Sequence, residues 1–295
     1  MKKTYSTNLI LFFLITILTL CIINSSLITS SILDYTDLFL TKLFPTSFLL
    51  LTLSSLLINF GLIETISHLT KKNSASFYII TMSLFCGFPS GPKHIAELYS
   101  KKYLSKESAT SLLTFTHFPN LLFILGPVSV ILDNPKFSYF LLLSIIISNI
   151  ITALIFKTKN ENSNHPQNKE LPFSKALTLA ITSSLKTQIL IYGTSLFFYL
   201  VCLLITKTIS LKPIFFVIVN GLFDLTKGIF TTPILSNNIL STYLILLFIS
   251  FGSISIHIQI KSILTDAHLP YKPFLIGRIV STIIAIIILT LLLKT

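Results

Sequence analysis

Two lysines lie beside breaks in the apolar pattern of this chain. Lys93 follows the run GFPSGP (87–92), and Lys227 follows the run GLFDLT (221–226). The residues that lead into each run are as apolar as a membrane span. Because an unpaired lysine at the centre of a bilayer costs roughly 2.5–3.5 kcal/mol on insertion scales, each lysine needs a partner.

Two chemistries would supply that partner, and the sequence leaves both open. Lys93 can pair with Glu97, and Lys227 with Asp224, because residues three or four apart are neighbours on a helix. Alternatively, both lysines face one cavity and neutralise an anionic substrate. The second alternative predicts a binding site for a small anionic solute.

The backbone before Lys93 is unsuited to a continuous span. Pro89 and Pro92 have no N–H donor, while Gly87 and Gly91 tolerate positive φ, so the chain can reverse tightly there. Non-helical backbone survives at membrane depth only where it is buried in protein or lines a polar cavity. We therefore predict a re-entrant hairpin whose second helix starts near the tip. Its positive N-terminal end, which favours anions, then lies inside the membrane.

Other polar residues near the breaks complete the candidate site. Ser90 lies at the tip, and His94 comes directly after it on the second helix. Asn120 follows a proline in the run FTHFPN, where its amide can contact a solute or cap a broken helix. The predicted substrate-binding residues are Gly87, Ser90, Gly91, Lys93, His94, Asn120, Asp224 and Lys227.

These residues are not arranged for catalysis. Ser90 lies in G-x-x-S-G rather than in the G-x-S-x-G elbow of hydrolases, and no H-E-x-x-H occurs. His94, His117 and His257 fit hydrogen-bonded structural roles better than metal ligation, and the three cysteines are far apart. We expect no enzymatic activity, no metal site and no cofactor.

The composition is that of a membrane protein. Hydrophobic residues make up 52% of the chain and charged residues 11%, against about 25% charge in soluble domains. The formal charge of +12 comes from lysines clustered at span ends, which favours a membrane topology with a cytoplasmic N-terminus over nucleic-acid binding. We predict an all-α polytopic protein whose first span is uncleaved. The roughly seven spans, each about 20 residues as a bilayer core requires, are 9–30, 46–66, 108–131, 137–156, 188–206, 241–260 and 274–293.

Two further apolar segments, 75–100 and 213–236, are broken in the middle and are predicted to be re-entrant hairpins. After the first span, each half reads amphipathic segment, span, hairpin, span and span, starting from opposite sides of the membrane. Inverted repeats with broken helices place a substrate site near the midplane, at the repeat interface. The predicted divisions are 1–32 for the N-terminal helix, 33–156 for the first repeat, 157–172 for a hydrophilic linker and 173–295 for the second repeat.

Three runs carry a resemblance to a known family. They are GFPSGPKHIAELYSKKYLSKESATSLLTFTHFPNLLFILGPV (87–128), GLFDLTKGI (221–229) and FGSISIHIQIKSILTDAHLPYKPFLIGRIV (251–280). The chain resembles the YlbJ/SpoVV family of sporulation membrane proteins, which carry the Gate or nucleoside-recognition domain and are distantly similar to concentrative nucleoside transporters. The resemblance implies a transporter in the mother-cell membrane of an endospore-forming bacterium, which moves dipicolinate, a dianion, toward the forespore.

We therefore expect a carrier of a small anionic solute in the cell membrane, with the lipid bilayer and that solute as its partners. One alternative is a non-transporting scaffold for spore assembly, which would not need two buried lysines. Another is a nucleoside or neutral-solute carrier, whose site should be rich in amides and poor in positive charge. The coupling ion and a homo-oligomeric state stay open, and we expect no nucleic-acid partner.

Overall fold

Every regular element in the described part of the chain is a helix, as the sequence predicts. The computed structural model describes residues 2–70, 74–156 and 171–294. The helices of the first half are α1 (Lys2–Ile23), α2 (Ser25–Leu38), α3 (Phe44–Asn59), α4 (Leu62–Thr70), α5 (Ala75–Cys86), α6 (Ser90–Ser100), α7 (Lys106–Phe115), α8 (Leu121–Phe123), α9 (Ser129–Ile131) and α10 (Pro135–Phe156). Those of the second half are α11 (Phe173–Thr208), α12 (Pro213–Phe223), α13 (Leu225–Thr231), α14 (Asn238–Phe251), α15 (Ile254–Asp266) and α16 (Lys272–Leu292). Short π-helical turns, Phe39–Leu43 and Ile124–Val128, join α2 to α3 and α8 to α9, and a 3-10 turn, Thr232–Leu235, follows α13.

The chain is a helical polytopic membrane protein. Four described segments are long and apolar enough to cross a membrane, namely Pro135–Phe156, Phe173–Thr208, Asn238–Asp266 and Lys272–Leu292. Two bent pairs raise the number to six: Thr7–Ile23 with Ser25–Leu43, bent by 94°, and Ser47–Asn59 with Leu62–His68, bent by 57°. The predicted number of about seven is therefore not reached in the described residues.

The difference arises at the predicted span 108–131, which is not one helix. Helix α7 ends at Phe115, the run THFPN (116–120) is not helical, and α8 starts at Leu121. Pro119 has no N–H donor and disfavours helical backbone at the residue before it, so the helix stops ahead of it. The Asn120 side chain then accepts a hydrogen bond from the Leu122 N–H (2.9 Å) and starts the next helix.

The predicted span 241–260 contains a second break. Helix α14 ends at Phe251, Gly252 has φ +96°, and α15 starts after Ser253, whose hydroxyl accepts the Ile256 N–H at 3.4 Å. A left-handed φ favours glycine, which explains why the interruption lies at this residue. Each half of the chain thus holds one broken helix followed by one unbroken helix, α10 or α16.

The two predicted hairpins are both places where the chain turns between helices. Helices α5 and α6 contact each other on either side of a tip at 87–89, and α12 and α13 do so on either side of Asp224. The same order of hairpin, broken helix and unbroken helix therefore occurs in both halves. That the halves are inverted, and that the hairpins do not cross the membrane, stays a prediction.

Three predicted boundaries need correction or fall outside the described residues. The amphipathic segment 173–187 and the span 188–206 form the single helix α11, whose 36 residues extend about 54 Å at 1.5 Å per residue. The first span ends at Ile23 rather than near 30, where the chain bends into α2. Of the predicted linker 157–172, residues 157–170 lie outside the described residues.

Candidate functional site

Both hairpin tips and both helix breaks meet at one internal cavity of about 100 Å³, which we call the central cavity. Helix α11 and the end of the first bent pair close its remaining sides. Its lining residues are Phe39, Leu43, Ser47, Cys86, Phe88, Pro89, Asn120, Phe123, Gln188, Ile191, Ser195, Asp224, Leu225, Thr226, Ser255, Ile256 and Gln259. The cavity therefore lies between the two halves, where the repeat architecture predicts a solute site.

Glycines let the first hairpin lie directly against the first helix break. Gly87 has φ +72°, and a Cβ placed on it would collide with the backbone of Asn120. A Cβ on Gly91 would collide with the carbonyl oxygen of Thr116. Any side chain at either position would push the tip away from the break. These two predicted residues thus act by allowing backbone packing that shapes one wall of the cavity.

Glycines also close the second hairpin. A Cβ on Gly228 would collide with the backbone of Gly221, and a Cβ on Gly221 would collide with the ring of Phe248. The two arms therefore touch at backbone level, on top of a ring of α14. Asp224 occupies the turn, where its Oδ1 accepts the Lys227 N–H (2.9 Å) and its Oδ2 accepts the Ser255 hydroxyl (3.3 Å).

Four helices begin at the wall of the central cavity. Helix α6 starts after Pro89, the helix 121–131 after Asn120, α13 after Asp224 and α15 after Ser253. The N-terminal end of a helix carries unpaired N–H groups and a positive partial charge of roughly half an elementary charge. These ends contribute positive partial charge to the wall, while the C-terminal end of α5, at Cys86, contributes negative partial charge.

Lys93 faces a different space from the central cavity. Its ammonium group donates to the Ser55 hydroxyl (2.9 Å) and lines a wider opening of about 590 Å³, which we call the vestibule. Glu97, Lys186 and Asp266 are the other charged residues of the vestibule lining. Glu97 accepts a hydrogen bond from Lys101 Nζ (3.0 Å), so the predicted i,i+4 partner of Lys93 is engaged elsewhere.

Lys227 lies outside the central cavity lining. Its ammonium group sits 5.1 Å from the centre of the Tyr199 ring, a cation–π distance, while its backbone N–H bonds to Asp224. Lys93 is the fourth residue of α6, whereas Lys227 is the third of α13. A one-residue offset rotates a side chain by about 100° around a helix, which explains why the two lysines do not share a cavity.

Ser90 and His94 are buried inside the first hairpin. The Ser90 hydroxyl donates to the Gly87 carbonyl and so helps to close the tip. The His94 ring packs edge-on against Tyr78, with its Nδ1 3.9 Å from a Glu97 carboxylate oxygen. Both residues support the hairpin from within, so of the eight predicted residues only Asn120 and Asp224 line the central cavity.

One curated protein is similar to most of the chain. The sporulation integral membrane protein YlbJ of Bacillus subtilis (strain 168) is 24% identical to this chain in an alignment that covers 82% of this chain and 72% of that protein. The chain is thus similar to YlbJ over most of its length. No protein-family model and no solved structure matches it, so the likeness of YlbJ-family proteins to Gate-domain proteins and nucleoside transporters stays a prediction here.

Two amide side chains of the central cavity, Gln188 and Gln259, were missed by sequence reasoning. Gln188 donates from Nε2 to the Ser47 hydroxyl (2.7 Å), and Gln259 donates to the Ser195 hydroxyl (3.2 Å). Gln188 Oε1 is buried and has no hydrogen-bond partner among the described atoms. An amide inside a span is a signal that could have been used, because polar residues in membrane segments tend to face a functional interior.

Another residue that the sequence did not single out is Arg278. It has no exposed surface, and its guanidinium bonds to Thr114, Asn149 and Ser250. These partners lie behind the helix breaks, on the side away from the cavity lining. The central cavity is thus backed by a buried positive charge in addition to its four helix ends.

Proposed function

We propose that this protein is a membrane carrier that binds a small anionic solute in the central cavity. The observation that carries the proposal is the convergence of four helix N-termini on a cavity between the two hairpins. Such ends favour anions because most N–H groups of the first helical turn have no partner within the helix and the helix dipole is positive there. Among these four helices, α6 and α15 are long uninterrupted α-helices, with 11 and 13 residues.

The balance of charge in the cavity supports an anion over a cation. Asp224 is the single charged side chain of the lining, and its carboxylate already caps α13 and accepts from Ser255. Helices α6 and α15, which have 11 and 13 residues, bring positive N-terminal ends to the cavity wall, and these offset the single carboxylate. The hydroxyls and amides of the lining can donate the hydrogen bonds that a carboxylate solute requires.

The vestibule supplies a path on which an anion would be attracted. Lys93 and Lys186 both line it, and Lys93 is held by the neutral Ser55 hydroxyl rather than by an acid. Residues of α11 and α15 line both spaces: Thr187 and Ser262 face the vestibule, while Gln188 and Gln259 face the central cavity. A solute that passes along these two helices would thus reach the cavity from the vestibule.

The relationship to YlbJ suggests the biological setting. YlbJ is a sporulation integral membrane protein, so we place this carrier in the membrane of a sporulating cell. The family resemblance implies dipicolinate as the solute. Its two carboxylates match a cavity with several positive helix ends better than a monoanion would. Dipicolinate export from the mother cell is therefore the specific form of the proposal.

A neutral, hydroxyl-rich solute such as a nucleoside is the second candidate. The buried carboxylate of Asp224 and the unpaired Oε1 of Gln188 are hydrogen-bond acceptors, which suit a solute that brings donors. The amides of Gln188 and Gln259 and the carboxylate of Asp224 line the cavity, whereas Lys93 and Lys227 do not. This is the pattern that a neutral-solute site would show.

Uptake into proteoliposomes separates the candidates. We expect protein-dependent uptake of labelled dipicolinate that unlabelled dipicolinate abolishes and uridine does not. Uridine uptake with no dipicolinate uptake would favour the second candidate, and uptake of neither would contradict a carrier for these solutes and favour a scaffold.

The variant Asp224→Asn sharpens this comparison. Asparagine caps a helix about as well as aspartate, so the turn should persist while the negative charge is lost. Two unit charges 5 Å apart interact by about 3 kcal/mol at an effective dielectric constant of 20, so removing the repulsion should strengthen dianion binding by tenfold or more. A neutral solute that donates to Asp224 should instead bind more weakly, which makes the two candidates move in opposite directions.

A further inference from the structure

Arg278 is the largest side chain that is fully buried in the described part of the chain. It lies on α16, the unbroken helix of the second half, and not on either broken helix. Its Nη2 donates to the Thr114 carbonyl (2.9 Å) and to Asn149 Oδ1 (3.1 Å), and its Nη1 donates to the Ser250 carbonyl (3.3 Å). None of these three partners is a carboxylate.

The two carbonyls belong to corresponding places in the two halves. Thr114 lies in the last turn of α7, and Ser250 lies in the last turn of α14, immediately before each helix break. The carbonyls at a helix C-terminus are unpaired and carry a negative partial charge, so a cation stabilises them. One guanidinium thus satisfies the negative ends of both broken helices, for which its fork of donors is suited.

Neighbouring residues are fitted to this contact. A Cβ on Gly277 would collide with the Thr114 backbone, so the glycine lets α16 reach the end of α7. Asn149 accepts from Arg278 and from the Ser281 hydroxyl while its Nδ2 donates to the His117 carbonyl (3.0 Å), inside the first break. The guanidinium also stacks 5.6 Å from the centre of the Phe274 ring.

We propose that Arg278 is a positioning residue that holds both helix breaks against α16, a contact we call the clamp. It thereby fixes the wall of the central cavity at which the four helices begin. The clamp places the breaks from behind, while the residues after each break, such as Asn120 and Ser255, face the cavity. The clamp itself does not depend on what the cavity binds. Only its consequence for a solute rests on the proposed function.

Hydrogen exchange at the two breaks tests the clamp without any solute. The amides to follow are those of Thr116, bonded to Leu112, and Gly252, bonded to Phe248, in the purified full-length protein. In Arg278→Met we expect exchange to accelerate at both amides by roughly tenfold or more, the effect of losing a charge-assisted bond. In Gly277→Ala, exchange should accelerate at Thr116 and stay unchanged at Gly252.

The controls keep the result interpretable. Ile279→Ala changes an outward-facing side chain on the same helix and should leave both amides unchanged. If Arg278→Met does not accumulate, Arg278→Lys serves instead, since a single ammonium replaces the two guanidinium nitrogens that contact separate helix ends, and exchange should accelerate at one break at least. Unchanged exchange at both breaks in either Arg278 variant overturns the clamp. Because no solute is added, that failure is distinct from a failure to bind dipicolinate.

Discussion

The variant Gly87→Ala tests the packing that forms the first wall of the central cavity. Gly87 has φ +72°, a conformation that costs an L-residue roughly 1–2 kcal/mol. The added methyl group would also overlap the backbone of Asn120, and forcing an extra carbon into a packed site costs a further 1–3 kcal/mol or so. Together these effects predict a loss of about 2–5 kcal/mol in the free energy of unfolding.

The assay is thermal unfolding of the detergent-purified protein, read by the exposure of its buried cysteines to a thiol-reactive dye. At roughly 2–4 °C per kcal/mol, the expected fall in Tm is about 4–20 °C. Gly193→Ala is the matched control, because it introduces the same methyl group in α11, where no atom lies within 4 Å of the new carbon. Since alanine favours a helix over glycine by about 0.5–1 kcal/mol, its Tm should stay level or rise.

A Gly87→Ala protein that melts like the wild type would refute this reasoning. It would mean that the tip has room for a side chain and does not lie on the backbone of Asn120. If both glycine variants melt early, the loss at Gly87 is not specific to the tip. Only an early transition at Gly87 combined with a normal one at Gly193 supports the described contact.

Two further predictions concern membrane topology and the vestibule. Cysteines introduced at Ser74 and Ser105, on either side of the first hairpin, should both react with an impermeant thiol reagent from the cytoplasmic side. Reaction from opposite sides would mean that the hairpin crosses the membrane, and it would contradict the inverted repeat. Lys93→Gln should keep its hydrogen bond to Ser55 and accumulate normally, while dipicolinate uptake at low ionic strength falls by roughly tenfold. Raising the salt concentration should narrow that difference, and an equal loss at every salt concentration would contradict attraction in the vestibule.

The first hairpin tip could be predicted from the sequence because Gly87 and Pro89 act on their own backbone. The two helix breaks were not predicted, since 108–131 and 241–260 were each interpreted as a span, although Pro119 and Gly252 mark their positions. The apolar runs likewise predict membrane helices. The exact end of α7 could not be foreseen, because a proline shows that a helix stops near it and not how many residues earlier.

The composition of the site depended on contacts between distant segments. Lys93 and Lys227 each follow a run that begins with glycine, but Lys93 is the fourth residue of α6 and Lys227 the third of α13. Gln188 comes to the cavity only because α11 packs beside α3 and α15. Arg278 lies inside the predicted span 274–293, but nothing near it in sequence reveals the carbonyls that it meets.

The most direct measurement of the central claim is protection of Cys86, a native thiol in the lining of the central cavity. In a protein with Cys21 and Cys202 replaced by serine, a small thiol reagent reports the rate of Cys86 alkylation. The account predicts that saturating dipicolinate slows this reaction and that uridine does not, while Cys21, retained alone in a matched variant, reacts at the same rate with or without either solute. Unchanged alkylation of Cys86 at dipicolinate concentrations that saturate uptake would contradict binding in the central cavity.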